Sequence, residues 1–317
     1  MKFKVLLFGL LLSSGSFAAD KTLIRIGVLA GGTVQWELPT LLADLNSKSV
    51  DFQLDIQQVD NAEAGEVALK SGAVDIIVTD WIWVSDMREK GIDVAFYPYS
   101  DISGALVVAS DSGIHTLQDL AGKRLGIAGD PLDKNWLLLQ TLAKQQQDID
   151  LDATVEKVFA TPQQLNEQLK QGGIDAVLNY WQFAVRLEAE GYRTIIDGRS
   201  ILRGLGIQES VANLGYVFKR SWADQHKQAV KQFLEVSKQA RQTVCISDDA
   251  WQKIRPLIKV DDETTQKHMR QNYCAGIIEQ WGDAEKKATS KVYSMLHKQS
   301  KQALIYKSEQ LQAGTFW

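Results

Sequence analysis

Histidine, cysteine and proline are scarce in this chain: four, two and five of each are spread over 317 residues. His115, His226, His268 and His297 stand far apart, and there is no His-Glu-x-x-His, no Gly-x-Ser-x-Gly and no phosphate-binding loop. Zinc-dependent, hydrolytic and nucleotide-driven chemistry therefore lack a footing, and the chain is expected not to be an enzyme. Cys245 and Cys274 lack metal-site spacing. In an exported chain they can form one disulfide or remain two buried thiols. No apolar run approaches the roughly 18 residues that a bilayer crossing requires. No low-complexity linker interrupts the sequence, which argues against domains tumbling independently on a tether.

Basic residues are outnumbered as well, 35 against 39 acidic. Nucleic acid is therefore not an expected partner. Met1-Lys2-Phe3-Lys4 carries positive charge, Val5 to Leu12 is a short apolar run, and Ser16-Phe17-Ala18 supplies small residues before a cut. The pattern predicts a secretory signal over residues 1–18. Its removal takes Lys2 and Lys4 and leaves 33 basic against 39 acidic side chains. No cysteine follows to carry a lipid, so a soluble exported protein is expected.

The sequence does contain an internal repeat. Leu69 to Trp81, around Gly72-Ala73-Val74-Asp75, is echoed by Leu169 to Trp181 around Gly172-Gly173-Ile174-Asp175. Arg25 to Gly31, running on to Trp36, is echoed by Arg124 to Gly129, running on to Trp136. Each copy reads as a short apolar strand, a glycine turn and a helix opening on tryptophan. The alternation of strand and helix predicts a parallel sheet covered on both faces in each copy. Asp75 and Asp175 are expected to fix the turns after Gly72 and Gly172. Asp130, Pro131 and Asp133 predict a helix from Pro131 to Gln147.

Two strands fall outside the alternation, Gly104 to Ser110 and Asn213 to Lys219. They are expected to pair with each other as two crossings that form a hinge. The predicted fold is α/β, with two Rossmann-like lobes: residues 19–105 and 216–317 in lobe 1, and residues 106–215 in lobe 2. From Trp222 onward the pattern is helical, with Ala229, Phe233, Val236 and Ala240 on one stripe. A charged helix is predicted from Ala284 to about Gln310, and Phe316-Trp317 is expected to dock on the body.

The repeats, together with Asp111-Ser112-Gly113-Ile114-His115-Thr116-Leu117-Gln118-Asp119-Leu120-Ala121-Gly122-Lys123-Arg124-Leu125-Gly126-Ile127, resemble type 2 periplasmic solute-binding proteins of ABC importers. The branch is that of nitrate, sulfonate, taurine and thiamine-precursor binding proteins, and the likeness covers essentially the whole mature chain. It implies a monomeric periplasmic protein whose lobes close on a small molecule and deliver it to an inner-membrane ABC permease, with no required cofactor and no metal. Gly31-Gly32-Thr33-Val34-Gln35-Trp36-Glu37-Leu38 and Thr79-Asp80-Trp81-Ile82-Trp83 further resemble exported binding proteins associated with quinoprotein alcohol oxidation. That second likeness implies pyrroloquinoline quinone as the ligand. The alternatives are a sulfonate such as taurine, a pyrimidine thiamine precursor, or delivery and sensing without a permease. Thiamine-precursor synthases share this fold, but the cysteine-rich segment expected of them is absent.

Ligands of open α/β sheets gather beyond the carboxyl ends of the strands. Trp36, Trp81, Trp136 and Trp181 fall at those ends and are expected to cover a flat ligand; the alternative is that each indole caps the core of its own lobe. Trp83 is expected to face away from Trp81 into the core. Lys134 opposes the dipole of its helix, which makes sense beside an anion or for a solvated side chain. Free N–H groups at Thr33 to Gln35, Asp80 to Trp81, Pro162 onward and Tyr180 to Trp181 add anion-binding capacity. Thr33, Gln35, Asn135 and Asn179 can supply neutral hydrogen bonds. Asp80 either caps its helix or faces a ligand that carries an amine or hydroxyl, and Asp130 and Tyr180 complete the candidate site.

Overall fold

The computed structural model describes residues 21–300 and 308–317. The predicted signal segment and part of the predicted last helix lie outside that range. Ten strands and thirteen α-helices are described. The first lobe opens with β1 (Thr22–Leu29), α1 (Thr33–Ser47), β2 (Phe52–Val59), α2 (Ala62–Ser71), β3 (Ile76–Thr79), α3 (Trp81–Glu89) and β4 (Val94–Ser100). The second holds β5 (Ala105–Val108), β6 (Arg124–Ala128), α4 (Lys134–Gln147), α5 (Leu151–Thr154), β7 (Glu156–Ala160), α6 (Pro162–Lys170), β8 (Ala176–Asn179), α7 (Trp181–Ala189), β9 (Arg193–Asp197) and α8 (Gly198–Gly204). After β10 (Leu214–Lys219) come α9 (Arg220–Gln225), α10 (Lys227–Ile246), α11 (Asp248–Ile258), α12 (Glu263–Ala275) and α13 (Asp283–Gln299).

The two sheets have the same plan. One runs β2-β1-β3-β10-β4 and the other β7-β6-β8-β5-β9. In each, the first three strands are parallel, and the fourth is antiparallel to both its neighbours. The sheets are thus mixed rather than purely parallel. The two crossing strands do not pair with each other as expected. Each inserts into the other half's sheet, β5 between β8 and β9, and β10 between β3 and β4. Insertion gives both backbone edges of a buried strand a ladder partner. Pairing the two with each other would leave an edge of each unsatisfied. Residues 105–108 are wholly buried.

Local chemistry accounts for the repeat. Asp75 accepts from the backbone N–H, Nε and Nη2 of Arg25, and Asp175 does the same with Arg124. Each carboxylate therefore grips the arginine that opens the neighbouring strand instead of shaping the glycine turn. The turns are set by Gly72 and Gly172, with φ of 79° and 71°, where a side chain would be strained. Helix α4 begins at Lys134, three residues later than predicted. Asp133 caps it by accepting from the N–H groups of Asn135 and Trp136, while Asp130 closes the preceding turn on the Leu132 N–H.

The C-terminal helices span both lobes. Helix α10 packs on α1 of the first lobe, α12 on α7 and α13 on α4 of the second. Cys245 and Cys274 form a disulfide that ties the end of α10 to the end of α12. Phe316 bridges to Phe96, and the Trp317 N–H bonds to the Phe96 carbonyl, so the chain end does dock, beside β4. No described helix is long and apolar enough to cross a membrane.

Candidate functional site

A cavity of about 540 Å³ opens between the lobes at the carboxyl ends of the parallel strands. The first lobe contributes Leu29, Thr33, Asp80, Ile82, Trp83 and Asp86, and the second contributes Gly129, Asp130, Leu132, Asp133, Lys134, Asn135, Tyr180, Trp181 and Gln182. The crossings supply Ser100, Ile102, Ser103, Gly104, Asn213 and Leu214. Gly104 is required, because a Cβ there would strike the backbone carbonyl of Asn179.

Seven of the expected residues line the cavity: Thr33, Asp80, Asp130, Lys134, Asn135, Tyr180 and Trp181. Five do not. Trp36, Trp81 and Trp136 are 2%, 1% and 1% exposed and belong to the cores. Trp36 packs with Trp251 and Tyr273, and the Trp81 indole N–H donates to the Ala212 carbonyl at 2.6 Å. At a helix start the side chain leans back under the first turn, here toward the C-terminal helices, Trp36 against α11 and α12 and Trp81 against Tyr293 of α13, where burying an indole is worth more than placing it at a wet lip. Gln35 accepts from the Gly31 N–H and braces its own turn. Asn179 is saturated by the Pro162 carbonyl, Asn166 and the Tyr180 N–H.

Trp83 takes the place expected of Trp81. Two residues along a helix is about 200°, so the two indoles do face opposite sides. Trp81 heads the buried stripe with Val84 and Met87, whereas Trp83 shares the cleft face with Ile82 and Asp86. The polar residue three positions after Trp83 is the signal that could have found it. Nothing in the sequence marks the crossing residues, whose place depends on which sheet each strand enters.

Lys134 meets a carboxylate of the opposite lobe rather than open cleft. Its Nζ lies 3.2 Å from Asp80 and 3.2 Å from the Asn213 carbonyl, and 5.9 Å from the Trp81 ring centroid. Asp80 also caps α3 by accepting from the Trp83 N–H. Asp86 is paired with Lys90. Asp130 and Asp133 remain, with no described cation paired to either. Burial pushes the Asp133 carboxyl up to about 6, against the pull of the Trp136 N–H and of Lys134. Burial, then the charges of Asp133 and Asp130, raise the Tyr180 phenol to about 12. The cleft therefore has a surplus of negative charge on the second lobe.

Helix N-termini complete the electrostatics. Those of α3, α4 and α6 are occupied by their own caps, Asp80, Asp133 and Thr161, so the anion-binding capacity expected at Asp80 to Trp81 and from Pro162 onward is already spent. Helices α1 and α7 have no side-chain cap. They start in opposite lobes and approach each other, with the rings of Trp36 and Trp181 5.9 Å apart. Uncapped N–H groups and the positive dipole end favour an anion there. No group of three or more histidine, cysteine or acidic side chains able to hold a metal occurs among the described residues.

Residues 48–247 match the profile of the family described as NMT1/THI5 like. The solved alkanesulfonate-binding protein of Xanthomonas axonopodis pv. citri, bound to MOPS, superposes with a TM-score of 0.67 at 17% identity, over 95% of this chain and 99% of that one. The periplasmic aliphatic sulphonate-binding protein of Escherichia coli gives 0.71 at 15% identity, over 93% and 92%. The desulfurization enzyme DSZB gives 0.58 at 13%, over 88% and 93%. No curated protein sequence matches significantly. At these identities the likeness establishes the fold, the two mixed α/β lobes of periplasmic binding proteins.

Proposed function

This chain belongs to the NMT1/THI5-like family, and on that footing we propose that it is an exported solute-binding protein that holds a small sulfonate between its lobes and delivers it to an ABC-type permease. The observation that carries this is the meeting of two uncapped helix N-termini, α1 and α7, from opposite lobes at one cavity. A compact oxyanion can accept hydrogen bonds from both at once and so rewards closure. Trp83 and Trp181 offer ring faces to an apolar or heterocyclic body. The two solved sulfonate-binding proteins support the same ligand class.

Asp130 and Asp133 refine the choice. A simple polyanion would confront both carboxylates, which weighs against pyrroloquinoline quinone, whose acid groups surround a flat ring. A sulfonate that also carries an ammonium group satisfies both halves of the cleft, so an aminosulfonate such as taurine is favoured. The same two carboxylates favour a second reading, an aminopyrimidine of the thiamine-precursor kind, stacked on Trp181.

Calorimetric titration of the purified chain with taurine, propanesulfonate and an aminopyrimidine tests this, with mass spectrometry of the recovered compound. Binding of taurine tighter than propanesulfonate, with the compound recovered unaltered, is expected. Binding of the aminopyrimidine alone would move the assignment to the second reading, and conversion of any of the three would replace binding by catalysis.

A further inference from the structure

On the buried face of the first helix of the cleft lies an acid that ligand contact does not explain. Glu37 is 1% exposed. Its Oε1 accepts from the hydroxyls of Tyr99 on β4 and Tyr273 on α12, and its Oε2 has no described partner. Arg241 of α10 sits beside it, with its guanidinium 4.5 Å from the Tyr99 ring centroid and its Nη1 donating to the Tyr99 carbonyl. Tyr216 on β10 completes the charged and titratable groups that face it, and Ser237 on α10 lies beside that phenol. The Tyr99 hydroxyl also lies 3.2 Å from Thr33 Oγ1, and Thr33 lines the cleft.

A phenol has a single proton to donate. With Glu37 ionised, Tyr99 donates to the carboxylate and must accept from Thr33, which leaves Thr33 only lone pairs to show the cleft. With Glu37 protonated, the acid proton goes to Tyr99, Tyr99 donates to Thr33, and the Thr33 proton is released toward the ligand. No heavy atom has to move. We propose that Glu37 is a positioning residue that decides, through Tyr99, whether Thr33 presents a proton or a lone pair to the bound ligand. Burial pushes the Glu37 carboxyl up to about 7, against the pull of Arg241 and the tyrosine hydroxyls. The reversal therefore falls in the neutral range, and a ligand that only accepts hydrogen bonds is held better on its acid side.

The test uses the full chain with its glutamate carboxyl carbons labelled for NMR, Glu37→Gln identifying the signal. A midpoint near neutrality is expected. Thr33→Val keeps the shape but removes the acceptor Tyr99 needs once Glu37 is protonated, so the midpoint falls by about one pH unit. Tyr99→Phe removes a donor to the ionised form, so the midpoint rises by about as much. Opposite signs support the relay; a midpoint indifferent to Thr33→Val, or moved the same way by both variants, overturns it. Propanesulfonate titrated on either side of neutrality is a second readout. About tenfold tighter binding on the acid side is expected in the parent chain, and in Tyr99→Phe a clearly weaker pH dependence, only the part that protonation of Asp133 supplies. Equal pH dependence in both overturns the relay. An absence of propanesulfonate binding at any pH counts against the sulfonate reading alone, and the Thr33→Val midpoint then decides the relay.

Discussion

The cross-cleft pair Lys134–Asp80 should act as a latch between the lobes, and its strength can be bounded from the geometry. At the 3.2 Å separation the Coulomb attraction with an effective dielectric near 20 is about 5 kcal/mol. Both side chains are mostly buried, 20% and 28% exposed, and desolvating them removes most of that gain. A net coupling of about 1–2 kcal/mol is left, including a small contribution from the Trp81 ring face. Lys134→Met should therefore raise the open population by about tenfold relative to closed. Asp80→Asn should do the same while still capping α3, since asparagine caps as well as aspartate. The double variant should open no further than either single one. Distances between spin labels at the exposed positions Leu42 and Phe159, one in each lobe, report the two populations. Additive effects of the two substitutions, or an unchanged distribution in Lys134→Met, would refute a latch and leave Lys134 as a ligand contact. The amplitude of opening should be modest, because α12 and α13 hold the second lobe while α10 holds the first.

Three further outcomes are expected. Replacing Cys245 and Cys274 by serine releases a loop of 29 residues, which by chain entropy costs about 3.5 kcal/mol; urea unfolding with an unshifted midpoint would show that the brace is held by packing alone. Because the Glu37 carboxyl titrates at about 7 when folded and near 4.5 otherwise, the folded chain binds the extra proton between those values. The Glu37 contribution to stability should thus be fullest below about 4.5 and be lost as pH rises to about 7, by at most about 3 kcal/mol, and Glu37→Gln should lessen the slope of the urea profile there, leaving the share of Asp133, whose carboxyl is raised as well. Trp83→Phe and Trp181→Phe should each reduce ligand-induced quenching of tryptophan fluorescence, whereas Trp136→Ala should lower stability by about 3–5 kcal/mol through a core cavity. Quenching that disappears only in Trp136→Phe would return the buried indole to the site.

Twin halves were legible because Asp75 and Asp175, with their glycine turns, recur at matched offsets, and a recurring local grip on Arg25 and Arg124 needs only neighbouring strands. The disulfide was legible as a possibility, since two cysteines allow a single pairing. The candidate site is less legible. A tryptophan at a helix start has two faces available, and only the packing beneath shows which one it takes: Trp181 lies at the cleft, while Trp36, Trp81 and Trp136 are buried. Lys134 stands out in the sequence as a cation at a helix N-terminus, but the partner it meets is a carboxylate 54 residues away in the other lobe.

Local chemistry thus determined the strands, most helix caps, the paired α/β units and the strand ends at which a ligand would gather. Those depend on residues within a turn or two of one another. Tertiary structure alone decided that β5 and β10 exchange sheets, that the last helices clasp both lobes, and that Glu37 stands behind Thr33 in a ring of hydroxyls. Each of these is a contact between segments far apart in the chain, chosen by which backbone edges and apolar faces remain uncovered once the local elements have formed.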